Sequence, residues 1–496
     1  MKQSRYAITA EGAHGEHLLF NTATETLAVA GGGAWQTFNT LPSSRDAEEP
    51  KQQENAGPAP GGEEKAQADR ASNESEDASR REAALAQLAA AGFAVDDDAD
   101  EIAGQEASYR AAQQDRSTLA LCLAPTYACN LRCPYCYEKG SEAAWNPMDE
   151  RVMRAVVAFV DAMYERNRFT RLEIQWYGGD PSLALDVVEA LSRMLMTWCD
   201  EHDVAYSAMM LSNCTRIGAD EAAHLSRCAV EEMLVTIDGP EEVHNVRRPA
   251  VDGSNSYQGI MRAVDELRSQ GIRINALINL DKKTEPLLDA LHDALRDEHG
   301  VDLKPTKLND YHRTYGCGAF AQPAFDLFTH EEYARFSYEH FASRRHTSDD
   351  YAALLAPAPL FCRGQMENYY GIDAEGDVYK CDGWMGDGRH VLFNLLDGYD
   401  ASALDTAPVY PFDDAECTAC ELLPICKGTC QWERTCCGNP CHPLKTTIGD
   451  YLRDWHACIE EEKKAARTSR QDGEGARDPH PSAAEPDGIR ILHTVL

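Results

Sequence analysis

Strand-like and helix-like segments alternate six times between residues 118 and 344. Short apolar runs indicate the strands, and apolar residues three or four positions apart indicate the helices. The predicted strands cover residues 118–125, 171–177, 206–212, 233–238, 272–280 and 301–308. The predicted helices cover residues 149–166, 181–198, 219–228, 257–269, 285–298 and 329–344. Such β–α units build a parallel sheet with right-handed crossovers. Six units are too few for a closed eight-stranded barrel, so we expect an α/β fold with a partial (βα)6 TIM-like barrel over residues 117–345.

The segments outside this barrel differ from it in composition. Residues 1–42 contain apolar runs broken by Gly and Asn, which predicts a small N-terminal β meander. Residues 43–81 lack aromatic side chains and are rich in Glu, Ala, Gln, Pro and Ser, which predicts a disordered acidic insertion. Residues 82–116 are predicted to be a helical connector. The polar residues 467–496 are predicted to be a disordered tail, in which 489–496 could add a short strand or helix.

The charge of the chain limits its partners. A formal net charge of −35 speaks against non-specific binding to nucleic acid or to anionic membranes. The first residues lack the apolar core of a signal peptide, and no run approaches the ~18–20 apolar residues that span a bilayer. We therefore expect a cytoplasmic protein. Its 18 cysteines then indicate metal binding rather than disulfides, because the cytosol keeps thiols reduced.

Three cysteines lie together after the first predicted strand of the barrel: Cys129, Cys133 and Cys136. Three thiolates can hold three irons of an iron–sulfur cube and leave the fourth iron open. A three-Cys zinc knuckle is the alternative, although no fourth ligand follows at zinc spacing. The C-x3-C-x2-C spacing, with Tyr135 before the last Cys, resembles the signature of radical S-adenosylmethionine (SAM) enzymes. The resemblance implies a [4Fe-4S] cluster whose open iron binds SAM.

Further motifs at the strand ends extend this resemblance. Gly178-Gly-Asp-Pro181 is similar to the Gly-Gly-Glu-Pro motif of the family, with Asp180 in place of Glu. The segment 212–215, Ser-Asn-Cys-Thr, is similar to the family's Thr-Asn-Gly-Thr, with Cys214 in place of Gly. The resemblance implies that the SAM-binding residues are Tyr135, Gly178, Gly179, Asp180, Pro181, Asn213 and Thr236.

A second group of cysteines follows the barrel in residues 357–466. Its C-x13-G-x4-C and C-x2-C-x5-C-x3-C spacings resemble the SPASM domain, a twin-cluster extension of peptide-modifying radical SAM enzymes; a zinc ribbon is the alternative. The resemblance implies two auxiliary [4Fe-4S] clusters. One would use Cys362, Cys381 and Cys430, with no evident fourth ligand. The other would use Cys417, Cys420, Cys426 and Cys458, with Cys441 as the alternative last ligand. Asp382 matches the catalytic base of anaerobic sulfatase maturases.

The resemblance to peptide maturases implies a 5′-deoxyadenosyl radical that removes hydrogen from a substrate carbon. The Tyr-Cys-Tyr-Glu end of the triad and the first 25 residues favour a ribosomally made precursor peptide, in which a thioether or a C–C crosslink forms. Two alternatives stay open: an anaerobic sulfatase maturase that makes formylglycine on a protein, and a non-catalytic iron–sulfur or zinc protein. An external one-electron donor of the ferredoxin or flavodoxin type is the expected redox partner.

Overall fold

The computed structural model describes residues 1–44, 67–136, 138, 146–309, 325–398, 404, 410–436, 441–471 and 488–495. Its N-terminal part contains the small β element that the sequence predicts. The strands are β1 (Lys2–Gln3), β2 (Ala7–Glu11), β3 (His17–Asn21) and β4 (Thr26–Ala30). Strands β2, β3 and β4 pair antiparallel in chain order. Leu18 and Phe20 of β3 are fully buried and share a hydrophobic core with residues of the C-terminal region such as Leu452 and Trp455.

Helices follow the N-terminal sheet. The elements are α1 (Gly32–Thr40), α2 (Gln67–Ala90), β5 (Ala94–Val95) and α3 (Glu101–Gln113). Helix α2 begins within the segment 43–81 that the sequence predicts to be disordered, and residues 45–66 lie outside the described residues. Alanine, glutamate and arginine, which favour helices, are frequent in α2, and Ala84 and Leu88 near its end are buried against the sheet. Tertiary packing therefore stabilises a helix that composition alone does not predict.

The central sheet contains the six predicted parallel strands. They are β6 (Thr118–Leu123), β7 (Arg171–Trp176), β8 (Ala205–Ser212), β9 (Val230–Thr236), β10 (Arg273–Leu280) and β11 (Leu303–Lys307). Each pairs in parallel with the next in chain order. The helices are α4 (Glu150–Asn167), α5 (Leu185–His202), α6 (Ala219–Arg227), α7 (Glu241–Arg247), α8 (Ser256–Ser269), α9 (Leu288–His299) and α10 (His330–Ala342). The predicted α/β fold with a central parallel sheet is confirmed.

The cysteine-rich region extends this sheet. Its elements are α11 (Ser348–Leu355), β12 (Tyr369–Ile372), β13 (Asp377–Tyr379), β14 (Phe393–Asn394), α12 (Ala415–Thr418), α13 (Leu423–Cys426), α14 (Gln431–Cys436) and α15 (Leu444–Gln471). Strand β12 pairs in parallel with β6, and β13 and β14 follow antiparallel, so the described residues contribute nine strands to this sheet. Cys362, which precedes β12, and Cys381, which follows β13, therefore flank strands of the same sheet as the triad.

The last described strand lies where the sequence analysis allows a short strand, in residues 489–496, although the tail as a whole is predicted to be disordered over residues 467–496. Helix α15 continues to Gln471, and β15 (Ile489–His493) pairs antiparallel with β4. Ile489 packs on the core beside α2, and Leu492 packs on the core between the N-terminal sheet and α15. An open edge of β4 offers backbone hydrogen bonds that the sequence of the tail does not reveal.

The two faces of the parallel sheet have different environments. Side chains such as Ile174 and Val235 are buried under the flanking helices. The intervening residues of the same strands, among them Gln175 and Thr236, are half-buried on the opposite face. This period of two gives the sheet one closed face and one accessible face. None of the helices in the described part of the chain is long and apolar enough to cross a membrane.

Candidate active site at the ends of the parallel strands

The cysteine triad lies in the loop after β6, at the carboxyl ends of the parallel strands. Cys133 is buried, and Cys129 and Cys136 are half-buried. Burial raises the pKa of the Cys129 thiol to about 11 and raises the pKa of Cys136 further. Both thiols are therefore protonated at neutral pH unless a metal centre lowers their pKa.

Two glycines in the turn after β7 allow its backbone to pack closely against the loop that carries the triad. A Cβ on Gly178, whose φ is +109°, would lie 2.4 Å from the carbonyl oxygen of Thr126. A Cβ on Gly179 would lie 2.3 Å from the carbonyl oxygen of Tyr127. The Gly179 amide donates to the Thr126 carbonyl over 3.2 Å. Only glycine allows this approach of two backbones just before Cys129.

Asp180 continues from these glycines into the site. Its side chain is completely buried, and burial raises its pKa. Its carboxylate accepts hydrogen bonds from the hydroxyls of Ser212 over 2.7 Å and Ser182 over 3.0 Å. Pro181 begins a short helical turn, Pro181–Ala184, that leads into α5. A buried carboxylate held in this way is suited to bind a cationic group.

The segment after β8 contacts the first cysteine. The side-chain amide of Asn213 donates to Cys129 Sγ over 3.7 Å and to Asn130 Oδ1 over 2.9 Å. Cys214, which replaces the family's glycine, is buried and has a φ of +58°, in the left-handed region that glycine favours. The turn therefore retains a glycine-like backbone with a cysteine in it.

A buried network connects the triad to β9 and β10. The Tyr135 hydroxyl donates to the Asp238 carboxylate, and accepts hydrogen bonds from Arg248 over 2.7 Å and from the Asn279 side chain over 3.2 Å. The Asp238 amide donates to Nδ1 of His244 over 3.1 Å. Burial lowers the pKa of His244 to about 3, so the imidazole is neutral and accepts this bond. Tyr135 thus orients the loop rather than facing open solvent.

Arg248 also belongs to this buried network, although the sequence alone does not single it out. Its guanidinium lies within electrostatic range of the Cys133 thiol and of Asp238, and its Nε is buried without a hydrogen-bond partner. The arginine pair in Val243-His-Asn-Val-Arg-Arg-Pro249 was the available signal, but the sequence does not say which of the two arginines faces the cysteines. Thr236, at the end of β9, lies half-buried on the accessible face of the sheet.

These residues fit an iron–sulfur cluster with SAM. Among the residues that the structure describes, no three His, Cys, Asp or Glu side chains converge closely enough for one metal ion. A cluster contains several irons and does not require its thiolates on a single ion. The buried Nε of Arg248 offers a donor to a carboxylate, and Asp180 offers an acceptor to an ammonium group.

A second cysteine group borders the accessible face of the sheet. Cys381 lies within electrostatic range of both Cys362 and Cys430. The neighbouring Asp382 accepts a hydrogen bond from the Gln175 side chain of β7 over 3.5 Å. The structure thus brings three of the predicted auxiliary cysteines together and directs Asp382 toward the strands that precede the SAM motifs.

A third cysteine group lines one small cavity, and its members are Cys417, Cys420, Cys426 and Cys441. The sequence prediction gave Cys458 as the fourth member, and the structure does not bring it there. Cys458 lies on α15, where its Sγ is 3.5 Å from the His346 carbonyl and 3.7 Å from a Glu462 oxygen. Cys441 precedes α15 and lies on the cavity wall because that helix begins beside α12 and α13.

Comparison with known proteins identifies the class. Residues 123–293 match the model of the Radical SAM superfamily. A cysteine-type anaerobic sulfatase-maturating enzyme of Clostridium perfringens (strain 13 / Type A) is 24% identical over 345 residues, covering 63% of this chain and 89% of that protein. A serine-type enzyme of Klebsiella aerogenes is 23% identical over 331 residues, covering 63% and 79%. The solved structure of native anSMEcpe with bound AdoMet shares the fold, with a TM-score of 0.52, 17% identity and coverage of 68% and 99%.

The chain therefore contains a radical SAM domain and is an enzyme of that class. Within the class it is homologous to the anaerobic sulfatase-maturating enzymes. A radical SAM domain implies a [4Fe-4S] cluster and SAM as cofactors.

Proposed function

We propose that this enzyme removes a hydrogen atom from a carbon of a peptide or protein substrate by means of a 5′-deoxyadenosyl radical. The observation that carries the proposal is the convergence of the Cys129, Cys133 and Cys136 thiols with the buried Asp180 and Arg248. The bound cluster and SAM supply the radical chemistry. The chain contributes binding, orientation and exclusion of water around the reacting C–H bond.

The opposite charges of Asp180 and Arg248 match the ammonium and carboxylate groups of the amino acid part of SAM. Asp180 receives the ammonium group, because its carboxylate is buried and already oriented by Ser182 and Ser212. Arg248 receives the carboxylate through its unpartnered Nε. Asn213 holds Cys129 in place, and Thr236 provides a polar contact from the end of β9.

The two outer cysteine groups would hold auxiliary clusters, as in a SPASM domain. Cys362, Cys381 and Cys430 provide three ligands to one cluster. The other cluster takes Cys417, Cys420, Cys426 and Cys441, because these four share one cavity and Cys458 does not reach it. An external carrier of the ferredoxin or flavodoxin type exchanges single electrons with the enzyme.

Asp382 is the proposed proton acceptor of the reaction. Its hydrogen bond from Gln175 directs the carboxylate toward the accessible face of the parallel sheet. From this position it can take a proton from the substrate heteroatom when the new bond forms, within hydrogen-bond reach of that atom.

The substrate we propose first is a precursor peptide that gains a thioether or C–C crosslink. Formylglycine formation on a sulfatase is the second candidate, and the names of the homologous enzymes of Clostridium perfringens and Klebsiella aerogenes favour it. Both reactions begin with hydrogen abstraction, and they differ in whether an aldehyde or a crosslink results.

Mass spectrometry of an anaerobically reconstituted enzyme tests both the radical reaction and the choice of substrate. With SAM and dithionite, the wild type should release 5′-deoxyadenosine, and a variant with Cys129, Cys133 and Cys136 replaced by Ala should not. Absence of the nucleoside from the loaded wild type would refute the radical reaction. A short Cys-rich peptide encoded beside the gene and a sulfatase peptide are then compared as substrates. A hydrazide reagent labels formylglycine but not a thioether or C–C crosslink.

A further inference from the structure

Two cationic side chains contact thiols of the third cysteine group, which contains Cys417, Cys420, Cys426 and Cys441. Arg434 Nη1 lies 3.2 Å from Cys417 Sγ, and Lys445 Nζ lies 3.6 Å from Cys441 Sγ. Both contacts are close enough for hydrogen bonds to sulfur. The two cations approach the cavity from different elements, since Arg434 belongs to α14 and Lys445 to α15.

Arg434 is held firmly in this position. Its guanidinium also donates to the Gly428 carbonyl over 3.1 Å and pairs with the Asp414 carboxylate. Its side chain is only 14% exposed, so its charge is weakly screened. Asp414 is the N-cap of α12 and accepts from the Cys417 amide over 3.2 Å. One ion pair thus fixes both the cation and the helix that carries the cysteine.

Lys445 is the more exposed of the two cations. It lies in the first turn of α15 and faces Glu421 as well as the thiols of Cys441 and Cys420. Glu416 and His442 also line the cavity. Asp414 and Glu421 also act electrostatically on Cys417 and Cys420. The side chains within hydrogen-bond distance of sulfur, however, are the cations Arg434 and Lys445.

The second cysteine group, which contains Cys362, Cys381 and Cys430, has carboxylates close to its thiols. An oxygen of Asp382 lies 3.7 Å from Cys381 Sγ, and Glu433 interacts electrostatically with Cys430. Arg363, next to Cys362 in sequence, is paired with Glu173 of β7 over 2.9 Å. The charged side chains that act on these three thiols are therefore Asp382 and Glu433.

Reduction adds one negative charge to a cluster. Cations and hydrogen bonds at the ligating sulfurs stabilise the reduced form, and nearby carboxylates destabilise it. We propose that Arg434 and Lys445 raise the reduction potential of a cluster on the third cysteine group above that of a cluster on the second. The third group would then be the outlet for electrons that leave the substrate. This inference rests on the proposed function, because it requires both auxiliary clusters.

The electron balance of the reaction agrees with electron transfer from the second cysteine group to the third. When a carbon-centred substrate radical forms a C–S bond, one S–H bond breaks, and one proton and one electron are released. Asp382 accepts the proton, and the auxiliary clusters accept the electron in one-electron steps. An oxidised carrier of the ferredoxin or flavodoxin type then removes it. A higher potential at the third group makes transfer from the second group favourable.

Potentiometric titration followed by electron paramagnetic resonance tests the inference on the full, anaerobically reconstituted chain. Arg434→Gln combined with Lys445→Gln should lower the midpoint of one auxiliary signal only. We expect about a tenfold change in the reduction equilibrium, or about 59 mV for one electron. A C441S variant identifies the affected signal, which it should remove. Arg434→Lys, which keeps the positive charge, should retain most of the wild-type potential. Arg453→Gln should leave the potential unchanged, because Arg453 is an exposed residue of α15 that pairs with Asp450.

Two results would overturn the inference: unchanged midpoints in the double variant, or equal shifts of both auxiliary signals. The iron content of the wild type distinguishes these results from failure of the proposed function. If the auxiliary clusters are absent, the wild type has a low iron content and gives no auxiliary signals at all. Lys445→Gln alone serves where loss of Arg434 impairs folding, since Lys445 is exposed. Its midpoint shift should shrink as salt is added, because exposed charges are screened.

Discussion

The Ser212 hydroxyl at the end of β8 donates to the Asp180 carboxylate, 2.7 Å away in the turn after β7. The same hydroxyl oxygen accepts a hydrogen bond from the Cys214 amide over 2.9 Å. The ends of two adjacent strands are therefore coupled directly behind Cys129. Because Asp180 is completely buried, loss of this coupling would leave its carboxylate partly unsatisfied.

Replacing Gly179 by Ala should disrupt the cysteine loop. The added Cβ would lie 2.3 Å from the Tyr127 carbonyl oxygen and 2.5 Å from that of Ala128, and both are backbone atoms that cannot rotate away. We expect a loss of about 2 kcal/mol or more in stability and a loss of iron from the triad. Thermal unfolding and iron analysis measure both effects. Gly449→Ala on α15, where no atom lies within 4 Å of the added Cβ, is the matched control and should not destabilise.

Replacing Tyr135 by Phe should loosen the buried network around the triad. The change removes a hydroxyl that contacts Asp238, Arg248 and Asn279, and it leaves their polar atoms short of a partner. We expect a cost of about 1–3 kcal/mol and weaker SAM binding, since Arg248 loses its orientation. Thermal unfolding and equilibrium binding of SAM provide the measurements. Tyr164→Phe on α4 is the control, and equal losses in both variants would contradict a specific role for Tyr135.

The ligand assignment of the third cysteine group predicts a difference between two single variants. Cys441→Ser should lower the iron content by about one cluster per chain, because Cys441 lies on the cavity wall. Cys458→Ser should retain the iron, because Cys458 contacts the His346 carbonyl outside the cavity. Iron and sulfide analysis of the two proteins, reconstituted in parallel, decides between them. Iron loss in Cys458→Ser alone would restore the original sequence prediction.

The stability of the enzyme should depend on the ionisation of Asp373. Its carboxylate is 3% exposed and accepts hydrogen bonds from the Tyr127 and Tyr379 hydroxyls. Burial raises its pKa from 3.8 to about 6. The folded state therefore favours the protonated form, and this contribution to stability is lost as the pH rises from about 4 through about 6. Two pKa units correspond to about 3 kcal/mol.

Chemical denaturation of wild type and Asp373→Asn at several pH values tests this linkage. The stability of the variant relative to the wild type should increase between about pH 4 and about pH 6 and then level off. Asp377→Asn on β13 should weaken this pH dependence without abolishing it, because the Asp377 carboxylate adds to the effect of burial on the pKa of Asp373. A difference between wild type and Asp373→Asn that does not change with pH would contradict the expectation.

Much of the fold follows from patterns that are local in the sequence. The six parallel strands are predicted because the apolar periods of strands and helices are set within a few turns of chain. The boundary of α2 and the pairing of β15 with β4 are not predicted, since both depend on a distant surface to pack against. Composition predicts disorder where the isolated segment cannot bury enough apolar area, and tertiary contacts supply that area.

The candidate site likewise has features that the sequence predicts and features that only the tertiary structure shows. The sequence by itself determined the cysteine triad and the Gly178-Gly-Asp-Pro181 turn, because their spacing within one loop constrains the chemistry directly. Only the tertiary structure shows that Arg248 lies within electrostatic range of Cys133 and that Cys441, rather than Cys458, lines the cavity of the third cysteine group. Spacing limits which residues can be ligands or partners. The packing of helices far apart in sequence decides which of them actually meet, because side-chain contacts require proximity in space.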